Sequence, residues 1–139
     1  MNPIKIGLDV HGVIDKYPEI FSKLSKEWVE KGYEVHIITG QEWQTAVIQV
    51  VAAKITYTHH YSIVDHNRKL GRHLYTRDDK QGIWMDDDIW NRSKGAYAYS
   101  VHLDVHYDDS LTYVEHFPFY CTYVVVSNRF ETFYENMIL

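Results

Sequence analysis

Cysteine is nearly absent. Cys121 stands alone among 139 residues, so no internal disulfide can form and a reducing, cytoplasmic setting is expected. Long hydrophobic runs are absent too. No stretch approaches the roughly 18–20 apolar residues that span a bilayer, and no basic segment leads into one ahead of Ile4-Lys5-Ile6-Gly7-Leu8. Neither a membrane partner nor a secretory leader is expected. Basic charge is in short supply, with 14 Lys and Arg against 19 Asp and Glu and a formal net charge of -5. An extended nucleic-acid surface needs an excess of phosphate-neutralising cations, so none is expected; a single phosphorylated end is still compatible with this charge. Internal repeats and low-complexity tracts are also missing.

What is there reads as an ordinary globular chain, 45% hydrophobic and 24% charged, of a length that favours one domain with a real core. Twelve tyrosines, four tryptophans and nine histidines are unusual in so short a chain. Core filling is their default use, with a stacking or partner surface as the second reading.

Apolar periodicity predicts strands at 4–10, 33–39, 55–64 (weaker), 103–107 and 120–126. It predicts helices at 17–31, 42–54, 89–101, 111–116 and 130–137, with Gly32 stopping the first. Residues 65–88 are polar and form a small insert, with a hairpin of 73–77 against 82–85 and a turn at Asp-Asp-Lys-Gln. Strands alternating with helices imply an α/β fold. We expect a Rossmann-like three-layer domain over 1–139, with a central parallel sheet of about five strands. Ligands in such folds lie beyond the carboxyl ends of the strands, where strand order reverses. Three predicted strand ends carry polar residues: Asp9 with His11, Thr39, and Asp108 with Asp109.

An Asp-x-x-Gly after a strand is often only a turn. The larger pattern says more. Leu8-Asp9-Val10-His11-Gly12-Val13-Ile14-Asp15 is followed in order by Ile37-Ile38-Thr39-Gly40, then Lys94, then Tyr107-Asp108-Asp109-Ser110. This series resembles the four motifs of the haloacid dehalogenase (HAD) superfamily of phosphatases, over most of the chain. The resemblance implies a Mg²⁺-dependent phosphomonoester hydrolase that works through an aspartyl-phosphate. Asp9 would be the nucleophile and His11 would stand at the general acid/base position. Thr39, Gly40 and Lys94 would hold the phosphate. Asp9, the His11 carbonyl, Asp108 and Asp109 would hold the metal.

His11 departs from the family pattern, which has aspartate there. Imidazole can give and take a proton near neutral pH, but it is bulkier and carries the opposite charge when protonated. Asp15 is a weaker substitute, placed past the turn. A catalytically weak or inactive module binding a phosphorylated ligand or a protein partner is therefore the alternative function.

One helix consumes the interval between Asp9 and Thr39, and the 65–88 insert is small, so the site is expected to be nearly capless. That suits a phosphorylated small molecule, a nucleotide or a phosphorylated macromolecular end, or a site covered by an oligomer neighbour. Trp84, Trp90 and Arg92 could stack on a base or hold a phosphate, although packing of the insert is the default for the tryptophans. His102, Asp104 and His106 alternate, and His59, His60 and His66 cluster. Neither set has a zinc spacing, and core or surface histidines are the default. His106 stands two residues before Asp108, where it could support the acidic pair.

Overall fold

The computed structural model describes residues 2–77 and 80–137. Its centre is a five-stranded, wholly parallel sheet of β1 (Lys5–Leu8), β2 (Glu34–Thr39), β3 (His59–Ser62), β6 (Val105–Asp108) and β7 (Thr122–Val125), in the order β3-β2-β1-β6-β7. Between β3 and β6 the chain forms a separate antiparallel hairpin of β4 (Tyr75–Arg77) and β5 (Lys80–Trp84). The helices are α1 (Pro18–Glu30), α2 (Trp43–Ala52), α3 (Ile63–Lys69), α4 (Asp87–Val101) and α5 (Phe130–Met137). This is the α/β, Rossmann-like arrangement expected from the alternation of elements.

Strand alternation sorts the core into two layers. Ile6, Leu8, Val35 and Ile37 face one way and pack with Phe21 of α1, Ala46 and Val50 of α2 and Phe130 of α5. Ile38 faces the other way, onto Ala98 of α4, Leu103 and Cys121. Both faces of the sheet are covered, as parallel strands require.

The chain leaves β1 for β2 on one side, and reaches β6 on the other side only after β3, the β4–β5 hairpin and three helices. The strand order therefore reverses between β1 and β6, which makes a crevice at their carboxyl ends.

Local signals explain the helix limits. Pro18 starts α1 in the position where its missing N–H costs nothing. The Asp86 carboxylate accepts from the Asp88 and Ile89 amides at 3.0 and 3.1 Å and starts α4 two residues earlier than apolar periodicity predicts. Three expectations need correction. The weak strand expected within 55–64 is present as the four residues of β3, but the helix that follows was not expected: α3 begins at Ile63, capped by the Ser62 hydroxyl on the Asp65 amide at 3.1 Å. The hairpin pairs Tyr75 with Trp84 and Arg77 with Lys80, and residues 78 and 79 of the expected turn lie outside the described residues. The segment at 111–116 shortens to a single 3₁₀ turn, Val114–His116. Among the described residues, no helix is long and apolar enough to cross a membrane.

Candidate functional site

Asp9 directly follows β1, and its amide still donates to Tyr107 of β6 at 3.0 Å, so the ladder holds its backbone to the sheet. Val10–Ile14 then forms one wide turn closed by the Asp15 amide on the Val10 carbonyl at 3.1 Å, in which His11 and Gly12 leave helical dihedrals. Gly12 sits at φ +80°, and a Cβ there would collide with the Asp109 carboxylate. Glycine thus permits both the turn and the close approach of Asp109.

Three carboxylates converge. One oxygen each from Asp9, Asp108 and Asp109 lies within 4.8 Å of the others. Lys94 reaches in from the middle of α4, with Nζ 2.8 Å from Asp108 Oδ2 and 3.1 Å from Asp9 Oδ1. The ammonium also lies over the Tyr113 ring, 4.8 Å from its centroid. Asp108 is fully buried and well held: Oδ2 accepts from Lys94 and from His106 Nε2 at 2.9 Å, and Oδ1 from the Ser110 amide at 3.1 Å. His106 lies on the same face of β6 two residues earlier. Its Nδ1 is buried with no partner among the described residues, so the imidazole is a neutral donor at Nε2. A Cβ on Gly7 would sit 2.7 Å from that Nδ1. The glycine in β1 is what makes room for the His106 ring.

Asp9 is held differently. Its Oδ1 takes Lys94 and the Val10 amide at 2.9 Å, while Oδ2 has no hydrogen bond among the described residues. Burial pushes the Asp9 carboxyl up to about 7; Lys94 opposes this and the nearby Asp108 adds to it. Burial also works against the Asp108 charge, but the His106 hydrogen bond and the Lys94 ammonium outweigh it and hold Asp108 well below the usual carboxylate range. Lys94 itself is driven up, because the two carboxylates overcome its desolvation. One ammonium facing three carboxylates leaves the cluster short of positive charge. Carboxylate oxygens without imidazole or thiolate among them form a hard donor set, able to hold a metal ion of the Mg²⁺ class.

The cluster opens into a cleft of about 470 Å³ lined by Asp9, His11, Thr39, Gly40, Lys94 and Asp109, among others. The sheet therefore brings Asp9, His11, Thr39, Gly40, Lys94 and Asp109 into one cleft, while Asp108, fully buried, is held to Lys94 and does not line it. Thr39 ends β2, is buried, and accepts the Gln41 amide at 3.2 Å, leaving its hydroxyl proton to donate. Trp90 packs its ring edge against Gly40, where a Cβ would lie 2.6 Å from it, and gives its indole N–H to Tyr113 Oη at 3.0 Å. Gly82 and Ile83 of β5 line the cleft from the hairpin side. Arg92 is spent on Asp88 at 2.7 Å and does not line the cleft.

Sequence reasoning undervalued Asp15. Its Oδ1 accepts the Gly12 amide at 2.7 Å and its Oδ2 lies 3.0 Å from His11 Nδ1. It lies within the turn's own hydrogen bonds, not past them, and it orients the exposed imidazole. The signal was an aspartate three residues after the glycine, the spacing of a side chain that closes a turn onto a backbone N–H. The two histidine sets seen in the sequence do not assemble. His102 caps α4 in a left-handed conformation, the Asp104 carboxylate accepts the Lys5 amide at 2.8 Å, His60 stacks on Trp43 and His66 lies against Tyr61.

Fold and cleft define an α/β protein with an acidic, lysine-bridged site at the switch point of a parallel sheet. No family model, curated protein or solved structure matches the chain.

Proposed function

We propose that the chain is a Mg²⁺-dependent phosphomonoester hydrolase of the HAD type. The observation that carries the reading is the meeting of Asp9, Asp108 and Asp109 within 4.8 Å, with Lys94 bridging two of them, at the reversal of strand order. Asp9, the His11 carbonyl, Asp108 and Asp109 would hold the ion, which when bound offsets charge on carboxylates and phosphate and polarises the phosphoryl group.

The rest is work for this chain's own residues. The Asp9 carboxylate with one oxygen free attacks phosphorus, forming an acyl-phosphate bond as the bond to the leaving oxygen breaks. Lys94 opposes the burial that raises the Asp9 carboxyl and orients it, and its charge offsets that of the phosphoryl group. The Thr39 hydroxyl donates to a phosphate oxygen beside Gly40. His11, steadied at Nδ1 by Asp15, lines the cleft. It gives a proton to the leaving oxygen, then takes one from the water that attacks the acyl-phosphate. Phosphate leaves and the Asp9 carboxylate is restored. The cleft is open, with Gly82 and Ile83 of β5 along one side, which suits a nucleotide or a phosphorylated macromolecular end.

The exposure of the His11 side chain, at 83%, favours the second reading, a phosphate-binding module with little or no turnover. Incubation with an aryl phosphate and Mg²⁺ decides between them. Hydrolysis that EDTA and Asp9→Asn both abolish supports the enzyme; phosphate-ester binding without turnover in wild type supports the module.

A further inference from the structure

At the opposite end of the sheet from the cleft, β2 and β3 bring together a second set of metal-ligating side chains. Glu34 and His36 alternate on β2 and so share a face, and the strand register sets His59 of β3 beside His36. Glu34 Oε1 lies 2.8 Å from His36 Nε2 and 3.9 Å from His59 Nδ1, and all three donor atoms fall within 4.8 Å of one another. His36 is buried, while Glu34 and His59 are 26% and 49% exposed, so the set is open to solvent on one side. The far nitrogen of His36, Nδ1, lies 2.7 Å from the Tyr97 hydroxyl of α4. Such an outer hydrogen bond is how a ligating imidazole is usually aimed and its tautomer chosen.

We propose that Glu34, His36 and His59 bind a divalent transition ion of the zinc type, at a site independent of the carboxylate cleft. Two imidazoles and one carboxylate make a borderline donor set that suits Zn²⁺ and leaves a fourth position open. This differs in kind from the all-oxygen cluster at Asp9. Separation along β2 supports the independence: His36 precedes Thr39 by three residues, about 10 Å of strand.

In the metal-free protein Tyr97 donates to His36 Nδ1, and the proton on Nε2 goes to Glu34. When the ion binds, that proton moves to Nδ1 and is donated to the tyrosine oxygen. Nε2 and the Glu34 carboxylate then face the metal. The two rings are stacked, with centroids 4.4 Å apart and planes 7° from parallel. A metal must lie in the plane of each ligating ring, so the exposed His59 turns out of the stack, giving up its 2.8 Å contact with the Thr58 hydroxyl. The nearby Lys5 ammonium is engaged by the Val101 carbonyl at 2.8 Å.

The test is a Zn²⁺ titration of the full chain against a chromogenic chelator, in a large excess of Mg²⁺ to fill the carboxylate cleft. Imidazole nitrogen resonances are followed by NMR. Wild type should take one Zn²⁺ per chain and shift the His36 and His59 resonances. His59→Ala, at a half-exposed position, should fold and lose that equivalent. Tyr97→Phe should weaken it about 10- to 100-fold by removing the outer hydrogen bond. Asp109→Asn should leave it intact. Unchanged Zn²⁺ affinity in His59→Ala overturns the proposal, as does loss of the equivalent in Asp109→Asn.

Discussion

Replacing Asp9 by asparagine should make the metal-free protein more stable, and only at the higher pH values. The Asp9 carboxyl is raised from 3.8 to about 7, chiefly by burial. The folded protein therefore holds this proton more tightly than the unfolded chain does. Between pH 4 and pH 7 the folded state binds more protons at this site, so stability falls as pH rises. The cost is absent below about pH 4 and complete above about pH 7. A shift of roughly 3 units at 1.36 kcal/mol each comes to about 4 kcal/mol. Asparagine is nearly isosteric with protonated aspartate and carries no charge, so the variant behaves as wild type with its proton locked on. Other groups titrate in the same range: His36 and His106 are both lowered by burial and cost stability as pH falls below 6.5. They are common to both proteins and cancel in the difference. Urea unfolding in EDTA should therefore show a gap of only about 1 kcal/mol between wild type and Asp9→Asn near pH 4.5. The gap should widen to about 4 kcal/mol in favour of the variant by pH 8. A gap that does not change with pH would refute the claim that Asp9 is held under electrostatic strain.

Mg²⁺ must displace the Asp9 proton below about pH 7, so calorimetry should show affinity falling from pH 8 to pH 5 and protons released on binding; a pH-independent affinity contradicts this. Lys94→Met removes the cation between two buried carboxylates and should cost about 3–5 kcal/mol in EDTA, with added Mg²⁺ recovering part of it in thermal melts. Gly7→Ala puts a methyl 2.7 Å from His106 Nδ1, so denaturant unfolding should show a loss of about 1–3 kcal/mol, and Mg²⁺ binding should weaken as Asp108 loses its support. His11→Ala should slow cleavage of an alkyl phosphate far more than of an aryl phosphate, whose leaving group needs little protonation; equal losses reject the leaving-group role. His11→Asp should keep or raise activity, and activity in that variant alone would favour the binding module for the wild-type chain.

Strands β1 and β2 were legible because each is a short buried run between turn residues, and α1 because Phe21, Leu24 and Trp28 recur at helical spacing; β3, His59–Ser62, is polar and mostly exposed and left only a weak trace. Helix α3 was not. Only Ile63, Val64 and Asn67 of its seven residues are buried, too few to register a period, and its start depends on the Ser62 hydroxyl more than on hydrophobicity. In the cleft, the acidic strand ends and Lys94 could be read because motif order and topology agreed. The His106 support of Asp108 followed from strand alternation. The Asp15–His11 pair escaped because it depends on the shape of a five-residue turn, which apolar periodicity does not describe. Glu34–His36–His59 escaped because its third member arrives through the register of β3 on β2, a contact across 23 residues with no local trace.

The central claim is that Asp9 carries the phosphoryl group. Rapid acid quenching of the Mg²⁺-loaded protein during turnover of an aryl phosphate, followed by peptide mass spectrometry, tests it directly. The account predicts a base-labile phosphoryl adduct on the peptide holding Asp9, with none in Asp9→Asn. Steady turnover by Asp9→Asn, or an adduct on another residue, would contradict it.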